Sequence, residues 1–223
     1  MTGTRFAGRG VMVFGAAGAL GAGLAEAFAA EGAQVTGVDR AEPGQPLAGV
    51  SYRDADVLDD VSLGALFDDL PVPWAVVNTV GGFAPHTPLP ELDLDVLTGQ
   101  LQLNLVSAAL ITKHALRQMT AAGQGRLVHT ASRAATATRG FGFAYSVSKL
   151  GVLHLVTMAA DEVRGTGITV NCVVPSIIDT PVNRNAMPGA DYATWPKIPD
   201  IAQAYLFLAA PDAHLVSGAA IPV

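Results

Sequence analysis

Tyr145 and Lys149 are the residues of this chain whose types and spacing point most directly to chemistry. They stand four positions apart in the segment Tyr145-Ser146-Val147-Ser148-Lys149, which places a phenol and an ammonium on one face of a predicted helix. An isolated tyrosine has a pKa of about 10, and a neighbouring cation favours the phenolate. The pair is therefore a candidate acid–base group for proton transfer. By itself the motif is weak, because the same spacing also occurs in exposed helix pairs.

The pattern around this pair predicts an α/β fold. Short, β-branched apolar runs alternate with longer amphipathic runs, which is typical of a parallel sheet with helices on both faces. We predict one domain over residues 1–223, a Rossmann fold with about seven strands. The predicted strands are Val11–Phe14, Gln34–Asp39, Val50–Arg53, Trp74–Asn78, Arg126–Thr130, Ile168–Val174 and Ala219–Val223. The predicted helices are Ala19–Ala30, Val61–Leu70, Asp93–Met119, Tyr145–Arg164 and Asp200–Ala209.

A glycine-rich turn joins the first predicted strand to the first predicted helix. It contains Gly15, Gly18, Leu20 and Gly21, and glycines in this connection let the backbone approach a pyrophosphate at the helix N-terminus. The spacing is not the usual Gly-x-Gly-x-x-Gly. A tight turn without a ligand is therefore the alternative.

Asp39 ends the second predicted strand, 18 residues after Gly21. Its carboxylate can accept hydrogen bonds from the adenosine ribose hydroxyls and would repel a 2′-phosphate. The sequence therefore favours NAD(H) as the cofactor. Arg40 could instead hold that phosphate, so NADP(H) stays possible.

The composition excludes several other classes of protein. The chain is 50% hydrophobic and 14% charged, which is typical of a globular protein and not of a disordered one. Its net charge of −6 gives no reason to expect nucleic acid or an anionic membrane as a partner. The single cysteine, Cys172, excludes an internal disulfide and a cysteine-based zinc cluster, and no ligand spacing predicts a metal site. Without a recognisable signal peptide or an uninterrupted apolar span of roughly 20 residues, we expect a cytoplasmic protein.

Several further motifs make the chain resemble the short-chain dehydrogenase/reductase family over nearly its whole length. Ser132 lies 13 residues before Tyr145 and Asn104 lies 41 before it, as in that family's catalytic tetrad. The segment Asn78–Gly81 is similar to the family's Asn-Asn-Ala-Gly motif. The glycine turn departs from the family pattern at Ala19, where a glycine is usual. The resemblance implies hydride transfer between a nicotinamide and a small carbonyl or alcohol substrate.

The resemblance also implies a role for each residue of the site. Tyr145 would exchange a proton with the substrate oxygen, while Lys149 would lower the pKa of this tyrosine and hold the nicotinamide ribose. Ser132 would orient the substrate, and Asn104 would fix a water that links Lys149 to solvent. The other cofactor contacts that it implies are Asp56 and Val57 at the adenine, Asn78 and Gly81 after the fourth strand, and Pro175 and Thr180 at the nicotinamide.

Five side chains are candidate substrate contacts because they fall in segments expected near the cleft. They are Phe83, Phe141, Phe143, Met187 and Trp195. Two of them belong to residues 183–199, the longest stretch without clear periodicity. Long loops in compact domains often cover a binding site, so this stretch is a predicted substrate lid.

The sequence leaves the substrate and the assembly open. The segments Gly18–Gly21 and Asp179–Pro188 are similar to the dihydropteridine reductases, which use NADH and lack a serine equivalent to Ser132. Reduction of a pterin or an imine is therefore an alternative. A non-catalytic dinucleotide-binding protein is another, because the glycine turn is altered. The family resemblance also implies a homodimer or homotetramer built through the two long helices.

Overall fold

Seven parallel strands form one sheet within residues 4–41, 43–137 and 142–223, which the computed structural model describes. The strands are β1 (Gly10–Phe14), β2 (Gln34–Asp39), β3 (Val50–Asp54), β4 (Ala75–Asn78), β5 (Gly125–Thr130), β6 (Ile168–Val174) and β7 (Ala220–Pro222). Their order in the sheet is β3-β2-β1-β4-β5-β6-β7. From β1 the chain adds β2 and β3 on one side of the sheet and then returns to add β4 to β7 on the other side. In such folds ligands bind beyond the carboxyl ends of the strands at the point between β1 and β4 where the order reverses.

Helices cover both faces of the sheet. They are α1 (Ala19–Ala30), α2 (Asp60–Asp69), α3 (Leu94–Gln100), α4 (Ser107–Ala122), α5 (Phe143–Glu162), α6 (Pro181–Ala186) and α7 (Ile198–Ala209). The predicted doubly covered parallel sheet is confirmed. The short elements that the periodicity did not predict are α6 and the 3₁₀ turns Leu89–Glu91, Arg133–Ala135, Tyr192–Thr194 and Pro211–Ala213.

The alternation of side chains along each strand separates two apolar layers. In β1, Met12 and Phe14 belong to the core under α2, α4 and α5, whereas Val11 and Val13 belong to the core under α1 and α7. Side chains two apart on a strand share a face, so a continuous apolar run fills both layers. This arrangement leaves the polar groups that follow each strand at the rim of the sheet.

The predicted helix Asp93–Met119 is interrupted, and this corrects the sequence-based expectation. Leu101–Val106 forms a π-helical turn between α3 and α4, and Asn104, the buried residue of this turn, is 1% exposed. Apolar periodicity does not register a single widened turn. Such turns are frequent at functional sites.

Residues 183–199 are also more regular than the sequence suggested. They contain most of α6, the 3₁₀ turn Tyr192–Thr194 and the first two residues of α7. Thr180 begins α6, because its hydroxyl accepts a hydrogen bond from the Asn183 amide at 3.2 Å, and Pro181 follows at the first helical position. A six-residue helix is too short to show an apolar stripe.

Two helical spans carry outer faces that are apolar and exposed. Leu94–Ala122 and Phe143–Glu162 are long and apolar enough by composition to cross a membrane, although neither is an uninterrupted apolar span. Helices that cover a protein core meet the same criterion, and both spans pack on the sheet through side chains such as Ile111 and Val152. Only 22% and 39% of their most apolar stretches is buried, however.

Candidate active site

Two cavities open beyond the carboxyl ends of β1 and β4. One has a volume of about 340 Å³ and the other about 660 Å³. Thr79 and Gly81, which directly follow β4, line both of them. The two cavities are therefore neighbouring halves of one cleft at the place where the strand order reverses.

The glycine turn after β1 is built for close approach. Gly15 has φ of 83°, and a Cβ there would lie 2.5 Å from the Thr79 hydroxyl. A Cβ on Gly21 would collide with the Gly15 carbonyl. The Thr79 hydroxyl donates to the Phe14 carbonyl at 2.8 Å, which joins the turn to the end of β4. These positions require glycine because a side chain would push the turn away from the cleft.

The N-terminus of α1 faces the smaller cavity without a side-chain cap. Gly18 is the N-cap residue and no side-chain hydrogen bond is made there. The first amides of a helix have no partner within the helix, and an oriented helix N-terminus favours an anion. Gly15 and Gly18 both line the smaller cavity, so the arrangement fits a pyrophosphate.

Acidic and basic side chains surround the far end of the smaller cavity. Asp39, Arg40, Asp56 and Val57 all line it, as the sequence predicted for the adenosine end. Asp39 already holds the glycine turn, since its carboxylate accepts from the Ala17 amide at 2.9 Å. Arg40 points instead toward the Asp56 carboxylate, with 3.9 Å between Nη1 and Oδ2.

Ser132, Tyr145 and Lys149 line the larger cavity together. Ser132 follows β5, and its hydroxyl accepts from the Ala134 amide at 3.1 Å. Tyr145 and Lys149 lie on consecutive turns of α5, as predicted. The Lys149 ammonium is buried and donates to the Thr130 carbonyl at 3.0 Å. A hydroxyl from the segment after β5 and two side chains of α5 thus meet on one wall of the cleft.

The electrostatics of this wall differ from the expectation for Tyr145. Burial raises the pKa of the Tyr145 phenol, and the neighbouring Ser132 hydroxyl opposes that rise. Burial also lowers the pKa of Lys149 to about 8, against an opposing effect of Cys172. The expected lowering of the tyrosine pKa by Lys149 is therefore not seen, because the cost of burying a phenolate dominates. At neutral pH the phenol keeps its proton.

Asn104 lies behind the cleft wall and joins two elements of it. Its Oδ1 accepts from the Gly82 amide at 3.0 Å, and its Nδ2 lies 3.0 Å from both the Gly82 carbonyl and the Ser148 hydroxyl. A Cβ on Gly81 would lie 2.6 Å from Asn104 Oδ1 and 2.9 Å from Lys149 Nζ. Asn104 and Lys149 therefore flank the same glycine, although Asn104 does not line either cavity. That Asn104 fixes a water stays a prediction.

Some of the remaining predicted cofactor residues line a cavity, and others only support the backbone around it. Leu20, Gly81 and Pro175 line the larger cavity. Asn78 and Thr180 are buried and line neither cavity. Both shape the backbone instead: Asn78 Oδ1 accepts from the Val80 amide at 2.9 Å, and Thr180 begins α6.

Two of the five predicted substrate contacts line the larger cavity. Phe83 packs edge-on against the Tyr145 ring, with 5.2 Å between ring centres, and Met187 also lines the cavity. Phe143 and Trp195 do not line it, which corrects the expectation for both, and Phe141 lies outside the described residues. The sequence analysis did not name several further lining residues, among them Pro85, Ile177 and Ile178, and it included Asn183 only as the first residue of the predicted lid. Ile177 and Ile178 lie a few residues after β6, and Pro85 follows the Gly81–Phe83 loop; these positions were the available signal.

Trp195 belongs to a cluster that supports the cavity wall from outside. Arg184 forms a two-pronged ion pair with Asp179, at 2.6 and 2.8 Å. The Arg184 guanidinium also stacks on Tyr192, whose ring lies 5.0 Å from that of Trp195. The Tyr192 hydroxyl donates to the Met187 carbonyl at 3.1 Å. This cluster fixes the segment that carries Met187 into the cavity.

Known proteins resemble this chain over almost its whole length. A family model described as enoyl-(acyl carrier protein) reductase matches residues 15–223. The cis-4-hydroxycyclohexanecarboxylate dehydrogenase of Sinomonas cyclohexanicum is 34% identical over 99% of this chain and 97% of its own. The chain belongs to the short-chain dehydrogenase/reductase family. A second family member, the D-threitol dehydrogenase of Mycolicibacterium smegmatis, is 31% identical over 96% of this chain and 91% of its own.

Solved structures of the same family agree with this assignment. A short-chain type dehydrogenase/reductase from Mycobacterium ulcerans superposes with a TM-score of 0.90, at 26% identity over 98% of this chain and 89% of that one. As a short-chain dehydrogenase/reductase, this protein is an NAD(P)-dependent oxidoreductase acting on alcohols or carbonyls. The assignment as an oxidoreductase takes the place of the alternative that the protein is a non-catalytic dinucleotide-binding protein. The narrower similarity to the dihydropteridine reductases stays a prediction.

Proposed function

We propose that this protein interconverts a small secondary alcohol with an apolar body and the corresponding ketone, using NAD(H). The observation that carries the proposal is the larger cavity, in which Ser132, Tyr145 and Lys149 share one wall. Its volume of about 660 Å³ falls in the range of small-molecule sites. A proton-transfer group, a hydroxyl donor and a cation thus face one substrate-sized space.

Tyr145 is the proposed general acid and base. In reduction its phenol proton passes to the carbonyl oxygen, and in oxidation the phenolate takes the proton of the alcohol hydroxyl. The Ser132 hydroxyl would donate to the same oxygen and stabilise the negative charge that develops there. The nicotinamide, when bound, donates or accepts the hydride.

Lys149 and Asn104 are proposed to support this proton transfer. One of the three Lys149 N–H donors is used by the Thr130 carbonyl, which aims the ammonium at Gly81 between the two cavities. From there it can donate to ribose hydroxyls and stabilise a phenolate on Tyr145 once that forms. Asn104 would keep the Gly82 backbone and Ser148 in register with Lys149.

The walls of the larger cavity indicate the class of substrate. Phe83, Pro85, Ile177, Ile178 and Met187 surround the polar wall with apolar surface, which favours a substrate with a hydrocarbon body. The relative from Sinomonas cyclohexanicum is named for a hydroxyl on a cyclohexane ring. We therefore propose a ring-sized secondary alcohol.

Asp39 supports the choice of NAD(H). Its carboxylate lies at the end of β2, lines the smaller cavity and is held toward the glycine turn by the Ala17 and Ala41 amides. A 2′-phosphate on the adenosine ribose would meet this negative charge. Arg40 is paired with Asp56, so it is not poised to compensate.

The proposal is tested by removing a single oxygen atom, that of the Tyr145 hydroxyl. Tyr145→Phe should lose turnover by a factor of about 10³ or more, since a general acid contributes 10²–10⁴-fold and also holds the substrate oxygen. NADH binding should be retained. Tyr52→Phe is the matched control, because Tyr52 lies on β3 and its hydroxyl accepts only from the Leu47 amide among the described contacts. Cyclohexanol, cyclohexanone and 4-hydroxycyclohexanecarboxylate with NAD(H) are the first substrates to assay, and full activity of Tyr145→Phe would refute the assignment.

A homodimer through α4 and α5 is proposed as the assembly. A groove of about 570 Å³ between these helices is lined by Leu116, Leu155 and Met158, among others, and Met158 is 58% exposed. Lys113, Arg117 and Glu162 line the same groove, and exposed apolar surface rimmed by polar residues is a feature of interaction sites. Light scattering of the wild type should give the mass of a dimer. Met158→Glu should dissociate to the monomer at a higher protein concentration than the wild type does. A monomeric wild type at micromolar concentration would contradict the proposal.

A further inference from the structure

His129 is a buried ionisable group that the proposed reaction does not use. It is the penultimate residue of β5 and 0% exposed, and its strand neighbours are Asn78 in β4 and Cys172 in β6. Its ring makes hydrogen bonds on both sides, to the side chains of Asn78 and Thr112. Both ring nitrogens are therefore satisfied, as burial of a polar ring requires.

The hydrogen-bond pattern determines which ring nitrogen carries the proton. The Thr112 hydroxyl donates its one proton to the Ala108 carbonyl at 2.7 Å. Thr112 Oγ1 can therefore only accept from His129 Nε2, at 2.9 Å, so Nε2 carries the proton. In the neutral ring Nδ1 is then an acceptor.

The other side of the ring requires the same assignment. Asn78 Oδ1 accepts from the Val80 amide at 2.9 Å, which places the Asn78 amide nitrogen toward His129 Nδ1 at 3.2 Å. That nitrogen can only donate, so Nδ1 must accept. An imidazolium would set two donors against each other. Burial, together with the nearby Lys149 cation, lowers the pKa of His129 to about 3, in agreement with the neutral ring.

Asn78 is held from a second direction by the residue next to His129. The Thr130 hydroxyl donates to the Asn78 carbonyl at 2.7 Å, while the Thr130 carbonyl accepts from Lys149. Asn78 is followed by Thr79, Val80 and Gly81, the turn that separates the two cavities. Hydrogen bonds thus run from α4 through the His129 ring to the backbone of that turn.

We propose that His129 is a positioning residue: as a neutral Nε2–H imidazole between Thr112 and Asn78, it fixes the Asn78–Gly81 turn against which the cofactor and Lys149 are placed. This rests on the proposed cofactor site but not on the identity of the substrate. Because the ring spans α4 and β4, losing its hydrogen bonds frees the turn without removing any group from the cleft. Cofactor affinity is the property most directly affected.

The state of the ring is tested first, by ¹⁵N NMR of the labelled full-length protein, with His129 assigned from the signals lost in His129→Gln. The expected result is a protonated Nε2, an unprotonated Nδ1 and no titration between pH 8 and pH 5. A Nδ1–H tautomer, or a His129 resonance that titrates in that range, would overturn the proposal. This measurement does not depend on catalysis.

Variants then test the positioning role. His129→Phe keeps a ring without hydrogen bonds and should weaken NADH binding by about tenfold, the effect of one or two lost buried hydrogen bonds. His129→Gln can accept from Asn78 and donate to Thr112, so it should restore the affinity to within about threefold of the wild type. Thr112→Val should also weaken binding. Its matched control is Thr157→Val, which loses the same hydroxyl-to-carbonyl bond on the exposed side of α5.

The outcomes separate this proposal from the proposed function. If folded His129→Phe binds NADH as tightly as the wild type, the positioning role is wrong. If His129→Phe does not fold, the comparison of Thr112→Val with Thr157→Val decides in its place, and equal NADH affinities would refute the role. If no alcohol or ketone is turned over, yet the tautomer and the affinity changes are as expected, the proposed substrate class fails and this inference stands.

Discussion

Replacing Lys149 by methionine is expected to stabilise the folded protein at pH 7 while abolishing turnover. Lys149 is 4% exposed, and burial lowers its pKa from 10.5 to about 8. This fall corresponds to roughly 3 kcal/mol that the folded state gives up by holding the charge. Methionine has a similar length and no charge, so it can occupy the same space without that cost.

The gain is reduced by the contact that the variant loses. Lys149 Nζ donates to the Thr130 carbonyl at 3.0 Å, and an orphaned buried carbonyl costs about 1–2 kcal/mol. The expected net stabilisation at pH 7 is therefore about 1–2 kcal/mol. Protein groups that serve a reaction at the expense of stability show this behaviour.

The dependence on pH gives the sharper test. Below about pH 8 Lys149 is protonated in both the folded and the unfolded state, so the folded protein bears the full cost of the buried charge. Between pH 8 and pH 10.5 the folded state releases the proton while the unfolded state keeps it. Since the unfolded state then binds more protons, wild-type stability rises with pH relative to Lys149→Met. The advantage of the variant should therefore shrink over this range.

Urea unfolding of the cofactor-free protein at pH 7 and pH 10 measures both effects. Lys197→Met is the matched control, because Lys197 is exposed and surface changes of this kind usually stay within about 0.5 kcal/mol. A Lys149→Met protein that is less stable than the wild type at pH 7 would refute the reasoning. So would a stability difference that does not change between the two pH values.

Three further predictions concern the proton, the cofactor and the scaffold. Burial raises the pKa of Tyr145, so kcat/KM for alcohol oxidation should increase from pH 6 to pH 8 while that for ketone reduction stays nearly constant; an oxidation rate independent of pH would contradict the assigned base. Asp39→Asn keeps an acceptor for the Ala17 amide but removes the charge, so the ratio of kcat/KM for NADH to that for NADPH should fall by about tenfold, and an unchanged ratio would show that Asp39 does not select the cofactor. Arg126 is buried and donates to the Ala210, Gly167 and Pro211 carbonyls among others, so Arg126→Met should lower the free energy of unfolding by roughly 3 kcal/mol. Urea titration measures this last change, and a loss below about 1 kcal/mol would contradict it.

Much of the fold was predictable because its signals are local. Each strand of the sheet contains at least one β-branched residue, and the longer helical runs lie between the strands in the sequence, so alternation alone indicated the parallel sheet. The four-residue spacing of Tyr145 and Lys149 and the glycine turn before α1 depend only on helix and turn geometry. These features do not depend on how the rest of the chain folds.

The errors arose where side-chain direction or burial mattered. Trp195 was predicted to contact the substrate, but its ring packs on Tyr192 outside the cavity, and no periodicity in a short turn tells which way such a ring points. The interrupted helix at Asn104 was read as continuous, because one widened turn shifts the apolar stripe too little to be seen. The pKa of Tyr145 was expected to fall, yet the cost of burial outweighs the neighbouring charge.

The sequence by itself determined the class of fold, the family, and the set of groups that can perform the chemistry. Residue types, their order and their local spacing are sufficient for that, because strand, helix and turn preferences act over a few residues. Only the tertiary structure decided which of these groups share a cavity, that His129 is a neutral link between Thr112 and Asn78, and that Lys149 is buried at an energetic cost. Those properties depend on distance and burial between segments that are far apart in the chain, and packing alone sets both.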